Sequence, residues 1–154
     1  MAHGWNNVRM AEHKVSRSIV IDAPAARIFD LISDPSRHHE FDGSGTVRDS
    51  TFGPERLTED AEFGMNMRMF GVSYRMVNRV VDFEKDRRLA WKTAGPQRWC
   101  YELEELPEGG TRVTETFDYS RGPWFVHVLL GVPAKNAVAM ERTLLRLREL
   151  TETR

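Results

Sequence analysis

The stretch PAKNAVAMERTLLRLRELTET, residues 133–153, decides the fold, because it is the longest segment of the chain with a clear helical period. Ala137, Met140, Leu144 and Leu147 recur at three- and four-residue steps. Ala134, Val138 and Leu145 widen that stripe to roughly half the circumference at about 100° per residue. Lys135, Arg142, Arg146 and Glu149 fall on the opposite side. Pro133 stands at a tolerated first-turn position and no breaker follows, so the segment reads as one long amphipathic helix. On this reading Glu141 and Arg148 project into the middle of the apolar arc. Two explanations stay open: the charged heads reach solvent along the helix rim, or the arc's centre faces a wet or ligand-filled hollow.

The long helix needs an apolar surface to lie against, and the preceding sequence supplies one. From Thr46 to Tyr119 it reads as six strands near Thr46–Phe52, Ala61–Phe70, Val72–Phe83, Arg88–Thr93, Gln97–Leu106 and Thr111–Tyr119. The turns between them carry Gly53-Pro54, Gly71, Glu84-Lys85-Asp86, Gly95-Pro96 and Pro107-Glu108-Gly109-Gly110. No helix-length pattern intervenes, so the strands form an antiparallel meander. Alternation puts Phe63, Met65, Met67 and Met69 on one face, with Tyr74, Met76, Asn78 and Val80, then Trp99, Tyr101 and Leu103, and finally Val113, Glu115, Phe117 and Tyr119. The other face is charged. A curved sheet gripping the C-terminal helix is the expected arrangement.

Ahead of the meander, Val15–Ile21 is a β-branched strand, followed by a helix start at Asp22-Ala23-Pro24 and a short helical face from Ile28, Phe29, Leu31 and Ile32. A second small helix or turn covers Pro35–Phe41. Residues 1–13 show no period and read as a flexible lead, leaving 14–154 as one domain. Between the last strand and the long helix, Pro123–Leu130 is strongly apolar and reads as a short preliminary helix, able to dock a partner subunit or cover a pocket. A homodimer is therefore open.

Composition narrows the function. Lys+Arg 22 against Asp+Glu 23 leaves no basic excess for nucleic acid. The longest stretch without a charge, Gly122–Ala134, holds two prolines and is shorter than a membrane span, and the N-terminus has no secretory pattern, so a cytoplasmic location is expected. The single Cys100 permits no intramolecular disulfide and reads as structural. Phosphate-cradling, dinucleotide-binding and Gly-x-Ser-x-Gly signatures are absent.

The run Val15-Ser16-Arg17-Ser18-Ile19-Val20-Ile21-Asp22-Ala23-Pro24, then Ile28–Pro35 and Glu40-Phe41-Asp42-Gly43, resembles the opening of the polyketide cyclase/dehydrase and lipid-transport branch of the START-like (SRPBCC) superfamily. Gly109-Gly110-Thr111-Arg112-Val113-Thr114-Glu115 resembles that branch's penultimate hairpin. The resemblance implies an α+β helix-grip fold: a seven-stranded curved antiparallel sheet around a long C-terminal helix, with two short helices after the first strand. It also implies an elongated cavity between sheet and helix that takes lipids, sterols or polyketides. Fold alone fixes no function.

Three functions fit these residues: a carrier of a hydrophobic small molecule, a polyketide cyclase, aromatase or dehydratase acting in the same cavity, and a protein-interaction module with an exposed apolar patch. The expected ligand-binding residues are Met65, Met67, Tyr74, Asn78, Trp91, Trp99, Tyr101, Phe117, Met140, Glu141 and Leu144. Glu115 is the catalytic candidate, because desolvation on the apolar face would disfavour its charge and fit it for acid–base work; the alternative is an edge position in water. No metal or cofactor is expected. Met65, Met67 and Met69 read as adaptable packing, His38-His39-Glu40 as a solvated helix end or pocket rim, and His127 as a core or rim histidine.

Overall fold

The computed structural model of the chain describes residues 13–93 and 95–152. The expected lead lies outside them, His13 excepted. The chain runs β1 (Lys14–Ile21), α1 (Ala25–Ile32), a 3-10 turn (Pro35–Arg37), α2 (His38–Phe41), β2 (Val47–Phe52), β3 (Glu62–Met69), β4 (Val72–Glu84), β5 (Arg88–Lys92), β6 (Arg98–Glu105), β7 (Thr111–Asp118), α3 (Trp124–Leu129) and α4 (Val132–Glu152). Alternating apolar positions and Gly- or Pro-marked turns place the meander strands within a residue of their expected bounds.

All seven strands pair antiparallel in the order β1-β7-β6-β5-β4-β3-β2. Register fixes the concave face: Arg17 opposes Glu115, Glu115 opposes Tyr101, Phe117 opposes Trp99, and Trp99 opposes Trp91. Across β3 and β4, Phe63 opposes Asn78, Met65 opposes Met76, and Met67 opposes Tyr74. This is the helix-grip fold, with α4 laid across β1 and β7 inside the curve.

Two clusters hold the helix. Toward its C-terminal end Leu144 and Leu147 are fully buried with Ile21, Ile28, Ile32 and Phe63; toward its N-terminal end Ala137 and Met140 pack on Val15, Phe117 and Tyr119. Each fully buried leucine contributes about 1.5–3 kcal/mol.

The buried stripe of α4 is not the one read from its period. It comprises Pro133, Ala137, Met140, Thr143, Leu144, Leu147 and Thr151. Ala134 is exposed, Val138 is 48% exposed and Leu145 only half-buried, so the inward face is turned by roughly 70° from the expected one. Glu141 and Arg148 consequently lie at the stripe's edge instead of its centre. Glu141 accepts a hydrogen bond from Arg17 Nε at 3.1 Å, which pairs the one charge and neutralises the other where β1 faces the helix.

The opposite edge of α4 is approached by the loop after α2. A Cβ on Gly43 would stand 2.2 Å from the Ala139 carbonyl oxygen and 2.6 Å from Arg142 Cβ. Only glycine permits that approach, and the Gly43 amide then donates to Thr143 Oγ1 at 2.8 Å. Gly43→Ala is expected to destabilise the protein by about 1–3 kcal/mol through overpacking, read as a lowered urea midpoint at unchanged slope.

Candidate functional site

The sheet curves more than α4 can fill. Between the concave face, the N-terminal half of α4, the loop after α2 and the end of α3 lies a cavity of about 470 Å³. Its walls are mostly apolar: Met65, Met67 and Met76 from β3 and β4, Trp91 and Trp99 from β5 and β6, and Phe117 from β7. The volume falls in the range of small-molecule sites.

Of the residues expected to bind ligand, Met65, Met67, Tyr74, Asn78, Trp91, Trp99, Tyr101, Phe117 and Met140 line this cavity, and so does Glu115. Glu141 and Leu144 do not. Glu141 is turned to Arg17, and Leu144 is fully buried in the core. The helix offers the cavity Asn136, Ala139, Met140 and Thr143, an edge hidden from the sequence reading by the phase difference described above. Met76 lies between Tyr74 and Asn78 on the same face of β4, so strand alternation was sufficient to find it.

Glu115 is buried, not an edge residue in water; only 3% of it is exposed. Its Oε1 accepts the Tyr101 hydroxyl at 2.9 Å, and its buried Oε2 has no partner among the described residues. Burial pushes the carboxyl up to about 8; the Tyr101 hydrogen bond opposes the shift and the Asp42 carboxylate adds to it. At neutral pH Glu115 is therefore mainly a neutral acid. Burial likewise holds the Tyr101 phenol well above its ordinary range, helped by Glu115, so it stays a donor. The buried Asn78 side-chain oxygen, on the wall formed by β4, likewise has no partner among the described residues.

Two buried polar atoms thus lack partners while their side chains line a cavity. Each unmet group costs about 1–3 kcal/mol, a cost that a bound polar group would remove. Asn78 Oδ1 is an acceptor for a ligand hydroxyl or enol. The protonated Glu115 Oε2 is a donor for a ligand carbonyl.

His38, expected at a solvated helix end or pocket rim, lies on the pocket but buried in its wall and not in solvent. It is 5% exposed, lines the cavity, and stacks on Trp91 with ring centroids 5.2 Å apart. Burial lowers its pKa to about 4, against the pull of the Ile32 carbonyl. The neutral ring's Nε2 meets that carbonyl at 2.8 Å; since a carbonyl only accepts, Nε2 carries the proton. The signal for a buried ring was weak, because a four-residue helix has too few positions to show a period.

His127 lies at the rim, where the Gln97 amide donates to its Nε2 at 2.9 Å and ties α3 to the β5–β6 hairpin. Cys100 is on the outer face; burial, then Glu102, push its thiol up to about 12, so it is not an activated nucleophile. Among the described residues, no three His, Cys, Asp or Glu side chains are placed to hold a metal ion, and no helix is long and apolar enough to cross a membrane.

Residues 12–152 match the family described as polyketide cyclase / dehydrase and lipid transport. The chain is 39% identical over 142 residues to the uncharacterized protein Rv0088 of Mycobacterium tuberculosis, a span of 88% of this chain and 63% of that one. It therefore covers under two thirds of the length of the curated relatives it matches. Among solved structures, it resembles the AHSA1-like protein from Aeromonas hydrophila, with TM-score 0.67, 18% identity, and coverage of 90% of this chain and 92% of that one. It also resembles the di-domain ARO/CYC BexL from the BE-7585A biosynthetic pathway, with TM-score 0.67, 18% identity, and coverage of 93% of this chain and 52% of that one. At those identities the structural likeness is one of fold. With the family match spanning almost every described residue and the seven-stranded grip on α4 in place, the chain belongs to the polyketide cyclase / dehydrase and lipid transport family of the START-like (SRPBCC) superfamily.

Proposed function

We propose that the protein binds an apolar, oxygenated small molecule in the cavity, oriented by Glu115 and Asn78. The supporting observation is the pair of buried, unpartnered oxygens, Glu115 Oε2 and Asn78 Oδ1, on side chains that line an otherwise apolar hollow. A ligand with a carbonyl and a hydroxyl or enol satisfies both, and the ring of Trp91, Trp99 and Phe117 supplies flat contact area. An interaction module of the same fold would not need a cavity of about 470 Å³.

A second reading, cyclisation or dehydration of a polyketide-like substrate, is favoured by the protonation of Glu115. An acid with a pKa near neutrality suits general acid catalysis. In a ring closure, an enol carbon of the substrate would attack a carbonyl carbon, and the carbonyl oxygen would take the Glu115 proton. The enol hydroxyl would pass its proton to the carboxylate so formed on Glu115 as its own C=O appears, restoring the acid. That one structural neighbour is an ARO/CYC protein accords with this reading. Carriage of the same ligand needs the contacts but no proton transfer.

Titration with a dihydroxyanthraquinone, followed by quenching of Trp91 and Trp99, tests the binding claim. Saturable binding is expected, weakened about five- to tenfold by Asn78→Ala, the value of one hydrogen bond of about 1 kcal/mol. Absence of saturable binding would reject it. Glu115→Gln keeps a donor but no transferable proton, so binding should hold within about threefold while any turnover falls by about 10²–10⁴.

Stability reports the same carboxyl. Its pKa is raised from 4.5 to about 8 in the folded chain. Between those values the native state holds a proton that the unfolded state has released. The Glu115 contribution is therefore fully present below about pH 4.5, declines as pH rises toward about 8, and is level above. Glu115→Gln is expected to flatten that decline in urea melts across this range; an unchanged profile would place the carboxyl in water.

A further inference from the structure

Among the described residues, most of the exposed large apolar side chains lie at the end of the molecule where the cavity opens. Because the meander is antiparallel, the β3–β4 turn, the β5–β6 turn, the exit of β7 and the start of α4 share one end of the sheet. There Phe70 is 91% exposed, Leu129 84%, Leu130 65% and Val72 64%. Helix α3 buries none of its residues. Met69 and Leu130 are exposed and also line the cavity, so the apolar surface continues into the hollow. Exposed apolar area around an opening marks a surface that something else covers.

The β3–β4 turn is built at a cost. Phe70 and Gly71 both have positive φ, 51° and 76°, between the paired residues Met69 and Val72, as in a type I′ hairpin. The first central position favours asparagine or glycine, and a bulky residue there is strained. Among the described residues Phe70 makes no aromatic contact in return, and it is nearly fully exposed. A ring held outward at a strained position is accounted for by what it meets outside.

Charge identifies the occupant. An open groove running from β2 onto the same hairpin holds Arg48, Arg68 and Arg75 with the single carboxylate Asp49, which already takes the Asn66 amide at 3.0 Å. Among the described residues none of the three arginines has an ion-pair partner. At about 3.4 Å per residue, Arg68 and Arg75 stand roughly 7–14 Å behind the turn. That is the depth of the head groups when an apolar tip enters an interface by about 5–10 Å. A second copy fits less well, since a two-fold contact would set this positive face against itself.

We propose that the cavity mouth docks on an anionic lipid bilayer, with the Phe70 turn and the Leu129-Leu130 end of α3 inserted and Arg48, Arg68 and Arg75 against lipid phosphates. The inference stands on the surface, independently of what the cavity binds.

Co-sedimentation with vesicles of phosphatidylcholine, alone or with about 30 mol% phosphatidylglycerol, tests it. Binding is expected to the anionic vesicles, roughly tenfold weaker to the neutral ones and falling with added salt. Phe70→Asn, compatible with the turn, should raise the melting temperature and weaken vesicle binding roughly tenfold. Arg68→Gln with Arg75→Gln should weaken binding to anionic vesicles by a similar factor and reduce its salt dependence. Quinone binding should be unchanged in both variants, which separates failure here from failure of the cavity reading. No binding to anionic vesicles, or equal binding by wild type and variants, would overturn the proposal. A dimer in sedimentation equilibrium that Phe70→Asn dissolves, with no vesicle binding, would overturn it in favour of a second copy.

Discussion

The structure depends on one packing constraint: α4 must fill a concave sheet that is larger than the helix. Its C-terminal half does so with Leu144 and Leu147, backed by α1 through Ile28 and Ile32. Its N-terminal half presents Asn136, Ala139 and Thr143, side chains too short to reach the far strands, and the hollow remains. Gly43 closes one wall by approaching α4 more tightly than any Cβ would allow. The cavity is thus a consequence of which side chains the helix offers, and of a glycine where a larger residue would lift the loop away.

Inside that hollow the balance between stability and binding is visible at single atoms. A protein optimised only for stability would not leave Glu115 Oε2 and Asn78 Oδ1 without partners, at about 1–3 kcal/mol each. The low dielectric that makes those atoms costly also keeps Glu115 protonated and would strengthen any hydrogen bond a ligand makes to it. The hydroxyl of Tyr101 fixes which oxygen is free. Burial, an orphaned oxygen and an altered proton affinity coincide at Glu115, and a second orphaned oxygen faces the same hollow from Asn78, the pattern expected of a site built for a ligand.

Much of this was legible in the sequence. Strict alternation on β3, β4, β6 and β7 identified the inward faces, since a strand has only two, and turn residues set the bounds. The helix was harder. Apolar residues cover so much of its circumference that the period alone could not say which half faces inward, and Ala134, Val138 and Leu145 widened the arc on the wrong side. The inward face follows the buried contacts of Met140, Leu144 and Leu147, and the Arg17 partner that holds Glu141 at the edge lies on a distant strand that no local pattern contains. The burial of His38 is illegible locally for a related reason: it depends on Trp91 and on the Ile32 carbonyl, not on neighbours in sequence. The apolar stretch before α4 reads as pocket cover or partner surface; that none of the residues of α3 is fully buried is a tertiary fact.

The central claim is that the cavity presents a neutral carboxylic acid to its contents, and the most direct test is the carbon-13 titration of the Glu115 side chain, assigned by comparison with Glu115→Gln. A midpoint near 8, displaced when a dihydroxyanthraquinone is added, is the expected result. A midpoint near 4.5 that ligand does not move would show a solvated carboxylate and contradict the account.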